Sequence, residues 1–368
     1  MHRDTRVVHA GFHTNREPGP FLTGPQFSST FTSPGDPASN ALTYGRFHNP
    51  TWTAWESALG SLEGGEVVAY ASGMAAVSAL LGVTLRPGNV VVLPADCYYT
   101  VRRLGAGWLD SMGVTARIAQ PGQELSMLEG ATLLWIETPS NPQLNVTDVR
   151  ALAAAAHEQG TLVAVDNSTA TPYLQQPLAL GADFVVASDT KGISGHSDLI
   201  LGHVATKDLA KVEALRTWRT QHGAIPGPME VWLAHRSLPT LPLRMTRQCA
   251  SAQAIAEFLA SRPDVDGVFY PGLPQHPGHA VARAQMQGFG SVLSFDLRTR
   301  VRAESFLAAL TLVREATSFG GVHSMAERRA RWGGDAISEG FIRFSVGCEA
   351  VEDVRADVQQ ALDAARGA

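Results

Sequence analysis

The most reactive feature of this sequence is a lysine with hydroxyl groups beside it. Lys191 lies in the segment SDTKGISGHSD at residues 188–198, directly after the apolar run FVVA, and Ser188 and Thr190 lie close to it. A lysine that is partly desolvated near cationic or apolar groups loses its proton readily enough to form an imine. The two hydroxyls can donate to an anion. Taken alone, such a lysine is more often a surface residue that begins a loop.

Two other segments could bind a phosphate. ASGMAA at 71–76 places Ser72, Gly73 and Met74 at the start of a predicted helix, where free N–H groups and the helix dipole favour an anion. YGRFHNPT at 44–51 sets Tyr44 and Arg46 ahead of another helix and offers two donors. By themselves, an ordinary helix cap and an ordinary surface loop explain these segments better. Neither matches a Walker A loop or GxGxxG.

Two polar residues follow apolar strands. Asp166 in LVAVDNS comes after one apolar run, and Asn141 in TPSNP comes after another. Open α/β sheets bind ligands at the carboxyl ends of their strands, where a carboxylate needs a cation and an amide can hydrogen-bond a ring oxygen. Considered singly, Asp166 is equally well explained as a capping residue, and the prolines around Asn141 indicate a turn.

The elements that must position these residues alternate along the chain. Short apolar runs predict strands at 90–93, 133–136, 162–165, 184–187 and 199–205. Helices are predicted at 74–85 and after Asp148, which can cap a helix that Gly160 can end. This alternation predicts a mostly parallel sheet covered on both faces. Strands at 291–297 and 341–347 and a closing helix after Glu352 predict a separate α+β part.

Composition excludes several classes of protein. The 368 residues are 45% apolar and 17% charged, with a net charge of −5, so neither disorder nor binding to nucleic acid or anionic membrane is indicated. The three cysteines, Cys97, Cys249 and Cys348, form neither a disulfide framework nor a CxxC metal pair. With neither a signal sequence nor a bilayer-spanning apolar run, a cytoplasmic protein with a small-molecule substrate and no metal site is expected.

Eight segments in this order and spacing resemble the Cys/Met-metabolism PLP enzymes, the group of cystathionine synthases and lyases with methionine gamma-lyase. The segments are YGRFHNPT, LEGG, ASGMAA, ETPSNP, VDNS, SDTKGISGHSD, SFGG and RFSVGCE. The resemblance implies an α/β chain with the PLP-dependent transferase fold (aspartate-aminotransferase-like, fold type I). It also implies an N-terminal arm at 1–43 that contacts a neighbouring subunit, a PLP-binding domain with a large parallel sheet at 44–222, and a smaller α+β domain at 223–368.

Carried over position by position, the resemblance implies a full set of residues for pyridoxal 5'-phosphate. Lys191 would be the Schiff-base lysine and Asp166 the partner of the pyridine nitrogen. Phosphate ligands would be Ser72, Gly73, Met74, Ser188 and Thr190 of one chain, with Tyr44 and Arg46 from its neighbour. Such shared active sites require a dimer, and the family implies a homotetramer built as a dimer of dimers.

The resemblance also implies catalytic and substrate-binding residues. Tyr98 would stack on the cofactor ring and assist proton transfer, and Tyr44 would be a further catalytic residue. Asn141, Ser318 and Arg343 would bind the substrate, with Arg343 holding its carboxylate in bidentate geometry. Asn141 would also support the cofactor's ring oxygen.

Some positions depart from the family's pattern. The family's DxYGGT is replaced by DCYYT at 96–100, so the loop beside Tyr98 loses two glycines. Thr43 and Thr317 occupy positions where cystathionine-handling members commonly carry glutamates, and His323 replaces the acid that usually follows SxGGx. Without those acids the site suits a neutral thioether tail better than the second ammonium group of cystathionine.

The implied reaction is alpha,gamma-elimination by a carbon–sulfur lyase of sulfur amino acid metabolism. Methionine gamma-lyase, which yields methanethiol, 2-oxobutanoate and ammonia, is the first candidate. Arg103, retained from the lyases, keeps cystathionine gamma-lyase open, and cystathionine gamma-synthase would use the same residues for gamma-replacement. A non-PLP nucleotide-binding protein on a doubly wound sheet is a remote alternative, because GxGxxG is missing after the first strand.

Overall fold

The computed structural model describes residues 1–11, 18 and 20–367. Residues 12–17 and 19, which belong to the predicted N-terminal arm, and residue 368 lie outside the described residues. The arm begins with a helix that the sequence interpretation did not identify, α1 (Arg3–Val8). Val7 is buried, and the Arg3 guanidinium lies 3.9 Å from the ring centroid of Tyr173. The start of the arm therefore packs on its own chain.

A seven-stranded sheet forms the centre of the larger part. Its strands are β1 (Glu66–Tyr70), β2 (Val90–Pro94), β3 (Thr115–Ala119), β4 (Leu133–Glu137), β5 (Leu162–Asp166), β6 (Phe184–Ala187) and β7 (Gly202–Thr206). They lie in the order β1-β7-β6-β5-β4-β2-β3. The pairs from β3 to β6 are parallel, whereas β7 is antiparallel to both β6 and β1. The predicted mostly parallel sheet is confirmed.

Two predicted elements differ in detail from the observed sheet. The run at 199–205 was expected to be one strand, but β7 starts only at Gly202, because residues 199–201 turn in from the loop that carries Lys191. β1 and β3 were not predicted. β3, with sequence TARIA, lies at the sheet edge and carries Thr and Arg among its apolar residues, so it lacks the continuous apolar run of a central strand.

Helices cover both faces of this sheet. They are α2 (Pro50–Glu63), α3 (Gly73–Thr84), α4 (Tyr99–Leu104), α5 (Val149–Glu158), α6 (Thr171–Leu174) and α7 (Leu209–His222). Successive residues of a strand point to opposite faces, so in β5 Ala164 joins the core under α3 and α7 while Val163 and Val165 join the core under α5. Asp148 caps α5 as predicted, accepting from the Ala151 N–H at 3.0 Å.

The rest of the chain joins the first part through long helices and adds a second sheet. The helices are α8 (Pro228–Ser237), α9 (Leu241–Ala260), α10 (His279–Gln285), α11 (Arg300–Ala309) and α12 (Val351–Ala364). The strands are β8 (Val268–Phe269), β9 (Val292–Asp296), β10 (Arg314–Glu315), β11 (Met325–Arg328) and β12 (Phe341–Ser345), in the order β10-β11-β12-β9-β8. Among the described residues, no helix is both long and apolar enough to cross a bilayer.

Candidate active site

A cavity of about 420 Å³ lies where the strand ends of the large sheet meet the second sheet. Eleven of the residues predicted for the site line it: Ser72, Gly73, Met74, Tyr98, Asn141, Asp166, Ser188, Thr190, Lys191, Ser318 and Arg343. They come from segments that are up to 271 residues apart, and the fold brings them to one place.

One end of the cavity is formed by the start of α3. Ser72 is the N-cap, and its Oγ accepts from the Ala75 N–H at 3.0 Å. Gly73 is needed here for space: a Cβ would lie 2.8 Å from the Ser188 Cβ. Gly202 in turn packs on Gly73, because a Cβ at 202 would lie 2.6 Å from the Gly73 Cα. Three backbones thus meet closely, and the N–H groups at the helix start face the cavity end, which suits an anion.

Thr190 already uses its hydroxyl within the protein. Its Oγ1 donates to the Leu201 carbonyl at 3.1 Å and accepts from the Leu201 N–H at 3.0 Å. This pair of bonds fixes the loop that carries Lys191 to the chain just ahead of β7. The contribution of Thr190 to an anion site would therefore require its hydroxyl proton to turn away from Leu201.

Asp166 ends β5 as a partly buried carboxylate in the cavity wall. Burial raises its pKa, and this effect is opposed by hydrogen bonds from Ser168 and by the charges of His203 and Lys191. Its Oδ1 accepts from the Ser168 N–H at 3.0 Å. Among the described residues, no side-chain nitrogen of Arg, Lys or His forms a salt bridge with it. A cation brought by a ligand would complete this site.

Lys191 lies between the anion end and the second sheet. Its Nζ donates to the Ser318 Oγ at 2.9 Å and lies 5.3 Å from the ring centroid of Phe319. Burial, reinforced by the positive charge of Arg343, lowers the pKa of Lys191 to about 8. The neutral, nucleophilic amine is therefore accessible near neutral pH, as an imine-forming lysine requires.

Tyr98 is held by a glutamate that the sequence interpretation did not assign. Glu137, the last residue of β4, accepts from the Tyr98 N–H at 2.6 Å and from the Asn141 N–H at 2.9 Å. It is buried, and burial followed by the charge of Asp166 raises its pKa well above the usual range. Its place at a strand end, inside the ETPSNP segment, was a usable signal. The Tyr98 and Tyr99 rings form an edge-on pair with centroids 5.1 Å apart.

Arg343 lies at the opposite end of the cavity from α3, on β12. Its Nη1 donates to the Asn141 Oδ1 at 3.0 Å, and its Nη2 donates to the Ser318 carbonyl at 2.6 Å. Burial lowers the pKa of Arg343 to about 10, although the carboxylate of Glu327 acts in the other direction. Ser318 has a φ of 82°, a left-handed backbone that L side chains rarely adopt, and its position beside Lys191 and Arg343 accounts for that cost.

Behind Arg343 lies a network of charged side chains that sequence reasoning missed. Glu327 of β11 is the cross-strand partner of Arg343, with its Oε1 2.5 Å from the Arg343 Nη2. It also accepts from Arg329 at 3.0 Å and Arg331 at 3.0 Å, and from the Trp332 indole at 2.8 Å. Burial acts to raise the pKa of Glu327, but Arg343, the Trp332 indole and Arg329 outweigh it and hold this pKa low. The charge run ERRARW at 327–332 was the available signal.

The two residues predicted to serve a neighbouring chain lie outside this cavity. Tyr44 is exposed, and the Arg46 Nη1 donates to the Thr220 carbonyl at 2.8 Å. The structure therefore does not bring them to the Lys191 site of their own chain, which is consistent with a role elsewhere. Of the departures from the family's pattern, Thr317 lines the cavity, while His323 is exposed and does not. Arg103, which is retained from the lyases, is also exposed and outside the cavity lining.

The cavity meets the demands of pyridoxal phosphate. A phosphate needs donors, and the start of α3 supplies them with Gly73 leaving room. A protonated pyridine nitrogen needs an anion, and Asp166 is a partly buried carboxylate without a salt-bridge partner among the described side chains. An aldehyde needs a neutral amine, and Lys191 has a lowered pKa. All three groups line one cavity.

Comparison with known proteins agrees with this geometry. The family model described as Cys/Met metabolism PLP-dependent enzyme matches residues 4–363. A putative cystathionine gamma-lyase of Streptomyces coelicolor is 54% identical over 366 residues, covering 98% of this chain and 93% of that protein. The apo structure of a methionine gamma lyase from Micromonospora echinospora has a TM-score of 0.92 at 39% identity, covering 98% of this chain and 99% of that one. Cystathionine gamma synthase from Xanthomonas oryzae pv. oryzae, in complex with cystathionine, has a TM-score of 0.95 at 34% identity, covering 100% and 99%.

Proposed function

This chain belongs to the Cys/Met metabolism family of PLP-dependent enzymes, and we propose that it catalyses alpha,gamma-elimination from a sulfur amino acid. The products would be a thiol, a 2-oxo acid and ammonia. One observation above all supports this proposal. Lys191, whose pKa is lowered to about 8, lines one cavity together with Asp166 and Arg343. PLP, when bound, supplies an electron sink for the carbanions that this reaction needs.

The chain's own residues would bind, orient and move protons. Arg343 binds the substrate carboxylate, with Asn141 and Ser318 fixing the guanidinium. The amine of Lys191 takes the proton from the α carbon and returns protons to neighbouring carbons, while the Ser318 hydroxyl orients that amine. Asp166 would hold the ring nitrogen of the bound cofactor in its protonated form. Tyr98 lines the same cavity and would give a proton to the leaving sulfur.

Methionine is the first candidate substrate. The cavity is lined by three cations, Lys191, Arg329 and Arg343, and by two carboxylates, Asp166 and Glu137. Asp166 is assigned to the cofactor, and Glu137 already accepts two backbone N–H groups. A second ammonium group, as in cystathionine, would therefore find no unengaged carboxylate, whereas a methyl thioether needs none. The relative from Micromonospora echinospora is named a methionine gamma lyase in one structure, at 39% identity, and a cystathionine gamma lyase in another, at 38% identity, so it supports carbon–sulfur cleavage without choosing between the two substrates.

Cystathionine is the second candidate, because the relative with 54% identity is described as a putative cystathionine gamma-lyase. A test would supply the purified holoenzyme with methionine, cystathionine or homocysteine, and with an activated homoserine ester plus cysteine. We expect 2-oxobutanoate and a thiol from methionine. Formation of cystathionine from the ester, without 2-oxobutanoate from any thioether, would show gamma-replacement and contradict the proposal.

We also propose that the protein is a homotetramer, a dimer of dimers in which Tyr44 and Arg46 of one chain reach the phosphate of the next. Their position outside their own chain's cavity supports this arrangement.

The proposed limits of the two domains are 44–222 and 223–368, since the strands of the large sheet lie within 66–206 and those of the second sheet within 268–345. Three unpaired cysteines favour a reducing, cytoplasmic setting.

Mixing inactive variants tests the shared site. Arg46→Ala and Lys191→Ala should each be inactive, and a mixed dimer should contain one site with both residues intact. We expect activity to return after subunit exchange. If exchange is demonstrated by mass spectrometry and no activity returns, Arg46 acts within its own chain.

A further inference from the structure

We propose that Arg329 sets the charge of the tail that the enzyme accepts beyond the sulfur atom: it favours a carboxylate there and rejects an ammonium group. This inference rests on the proposed function, because it assumes that a γ-substituted amino acid occupies the cavity with its carboxylate on Arg343. It concerns a residue outside the segments that predicted the site.

The open end of the cavity identifies where the tail lies. Ile200 and Trp332 line the cavity and are 64% and 48% exposed, so they mark its mouth. Arg343 and Lys191 lie in the interior. A substrate with its carboxylate on Arg343 and its α carbon beside Lys191 must direct the remaining chain toward the mouth, because its thiol product has to leave. Arg329 and Trp332 belong to one short helical turn, Arg329–Trp332, that forms the wall on this path.

Arg329 is a fixed cation in that wall. It is only 4% exposed, and its Nη1 and Nη2 donate to Glu327 at 3.0 Å and to Asp335 at 2.9 Å. Asp335 is held in turn by Arg102 of α4, at 2.9 Å. Because both of its terminal nitrogens are anchored, the guanidinium keeps its charge in the wall when a cationic tail approaches.

The guanidinium also retains an unused donor. Arg329 Nε is buried and has no hydrogen-bond acceptor among the described residues. Buried donors without an acceptor are uncommon and costly, so an acceptor supplied by the ligand would relieve this one. A small rearrangement of the wall would be needed for contact, since the atom is covered in this structure.

The surrounding carboxylates do not offset this preference on the cavity side. Glu327 and Asp335 lie behind Arg329 and do not line the cavity. The carboxylates that do line it are Asp166 and Glu137; Asp166 faces the cofactor's position, and Glu137 accepts two backbone N–H groups. A tail ammonium would therefore meet arginine and no counter-charge. At partly buried distances such a like-charge contact changes binding by on the order of tenfold to a hundredfold.

Three matched substrates test the inference. They are homocysteine thioethers whose tails are S–CH2CH2–COO⁻, S–CH2CH2–CH3 and S–CH2CH2–NH3⁺. For the wild-type holoenzyme we expect kcat/KM to fall in that order, by about tenfold at each step. In Arg329→Gln the three values should converge, whereas Arg329→Lys should keep the order. Arg331→Gln is the matched control, because Arg331 also bonds Glu327 but does not line the cavity.

Binding separates this inference from the proposed reaction. The same three compounds with a methylene in place of sulfur cannot release a thiolate, and calorimetry gives their Kd whether or not elimination occurs. If the Kd is lowest for the carboxylate tail, higher for the methyl tail and highest for the ammonium tail, the inference is supported even if no thioether is cleaved. Equal Kd values for the three tails in the wild-type protein, or an unchanged order in a folded Arg329→Gln variant, would overturn it.

Discussion

The two ends of the cavity are built on opposite principles. At the proposed phosphate position, the cofactor end offers neutral donors, the N–H groups at the start of α3 and the Ser188 hydroxyl, and the carboxylate of Asp166 lies apart from them at the end of β5. The substrate end uses formal charges, with Arg343 and Arg329 set against Glu327 and Asp335. Neutral donors suit a cofactor that stays bound, whereas formal charges suit charged substrates that enter and leave.

The difference has an energetic reason. Backbone donors at a helix start are already fixed, so binding a phosphate there costs little further ordering. An arginine cluster must be held in place by its own carboxylates, each of which competes with the ligand for the same donors. The Nη2 of Arg343 illustrates this, since it is bonded to Glu327 and to the Ser318 carbonyl at once. Variants at the two ends should therefore fail in different ways.

The largest effect is expected between the ends, at Lys191. Lys191→Ala should reduce elimination below detection, because no other amine can take the α proton there. The chain has only two further lysines, Lys207 and Lys211, so reductive trapping of the bound cofactor followed by peptide mapping should label Lys191 alone. Lys207→Ala is the control and should retain full activity. Turnover by Lys191→Ala at the wild-type rate would remove the basis of the proposed chemistry.

At the cofactor end, Asp166→Asn should lower kcat by several orders of magnitude while KM changes little. An amide cannot hold the ring nitrogen in its protonated form as a carboxylate does, so the electron sink weakens. Steady-state kinetics with cofactor content measured in parallel would check this. A near-normal kcat would mean that another group pairs with the ring nitrogen.

At the substrate end, Arg343→Lys should raise KM by roughly tenfold to a hundredfold, with a smaller effect on kcat. An ammonium group offers no planar fork for a carboxylate, and it cannot reach Asn141 and Ser318 together as the guanidinium does. Measuring KM and kcat for both Asp166→Asn and Arg343→Lys would show whether the cofactor end mainly affects kcat and the substrate end mainly affects KM. A loss confined to kcat would place Arg343 in the chemistry instead.

The smallest effect on turnover is expected from a residue that acts through stability, beneath the cofactor end. His203 of β7 is buried between Asp189, 2.6 Å from its Nδ1, and Glu63, 3.2 Å from its Nε2. Burial acts to lower the pKa of His203, but the two carboxylates outweigh it and raise the pKa from 6.5 to about 10. The stability from this charge is present in full below pH 6.5 and is lost as pH rises through about 10.

Thermal unfolding between pH 7 and 10.5 measures this effect. The wild-type Tm should fall toward the alkaline end, and His203→Gln should fold less stably by about 3–5 kcal/mol with a flatter alkaline profile. An identical pH profile in the two proteins would show that His203 is not charged in the fold.

More of the cofactor end than of the substrate end could be predicted from the sequence. The strand ends, the helix start and the lysine each lie in a short contiguous segment, and the family, fold class and cofactor that they predicted are confirmed. The site-residue roles and the tetramer stay predictions. Glu137 was missed although its place at the end of β4 was a usable signal, because one of the two N–H groups that it accepts, that of Tyr98, comes from a segment 39 residues away along the chain.

The charged network could not have been predicted in the same way. Glu327 and Arg343 become partners only through the register of β11 against β12, and Asp335 meets Arg102 across 233 residues of chain. Charge runs such as ERRARW are usually solvated surface, and only the packing of the second sheet turns Arg329 inward. The α1 helix, which the composition of the arm did not indicate, is fixed by a similar long-range contact with Tyr173.

The close approach of Gly202 to Gly73 has a consequence for how this enzyme can be altered by mutation. A side chain at 202 would collide with backbone atoms of 72 and 73, and backbone cannot be trimmed by a second substitution. Position 73 faces the Cβ of Ser188, so only a glycine at 188 would relieve part of that conflict. We therefore expect few substitutions to be tolerated at these three positions of the cofactor end. The turn Arg329–Trp332 has no such backbone conflict and can change one residue at a time. New substrate ranges should arise from residues 317–332 while residues 72, 73 and 202 stay as they are.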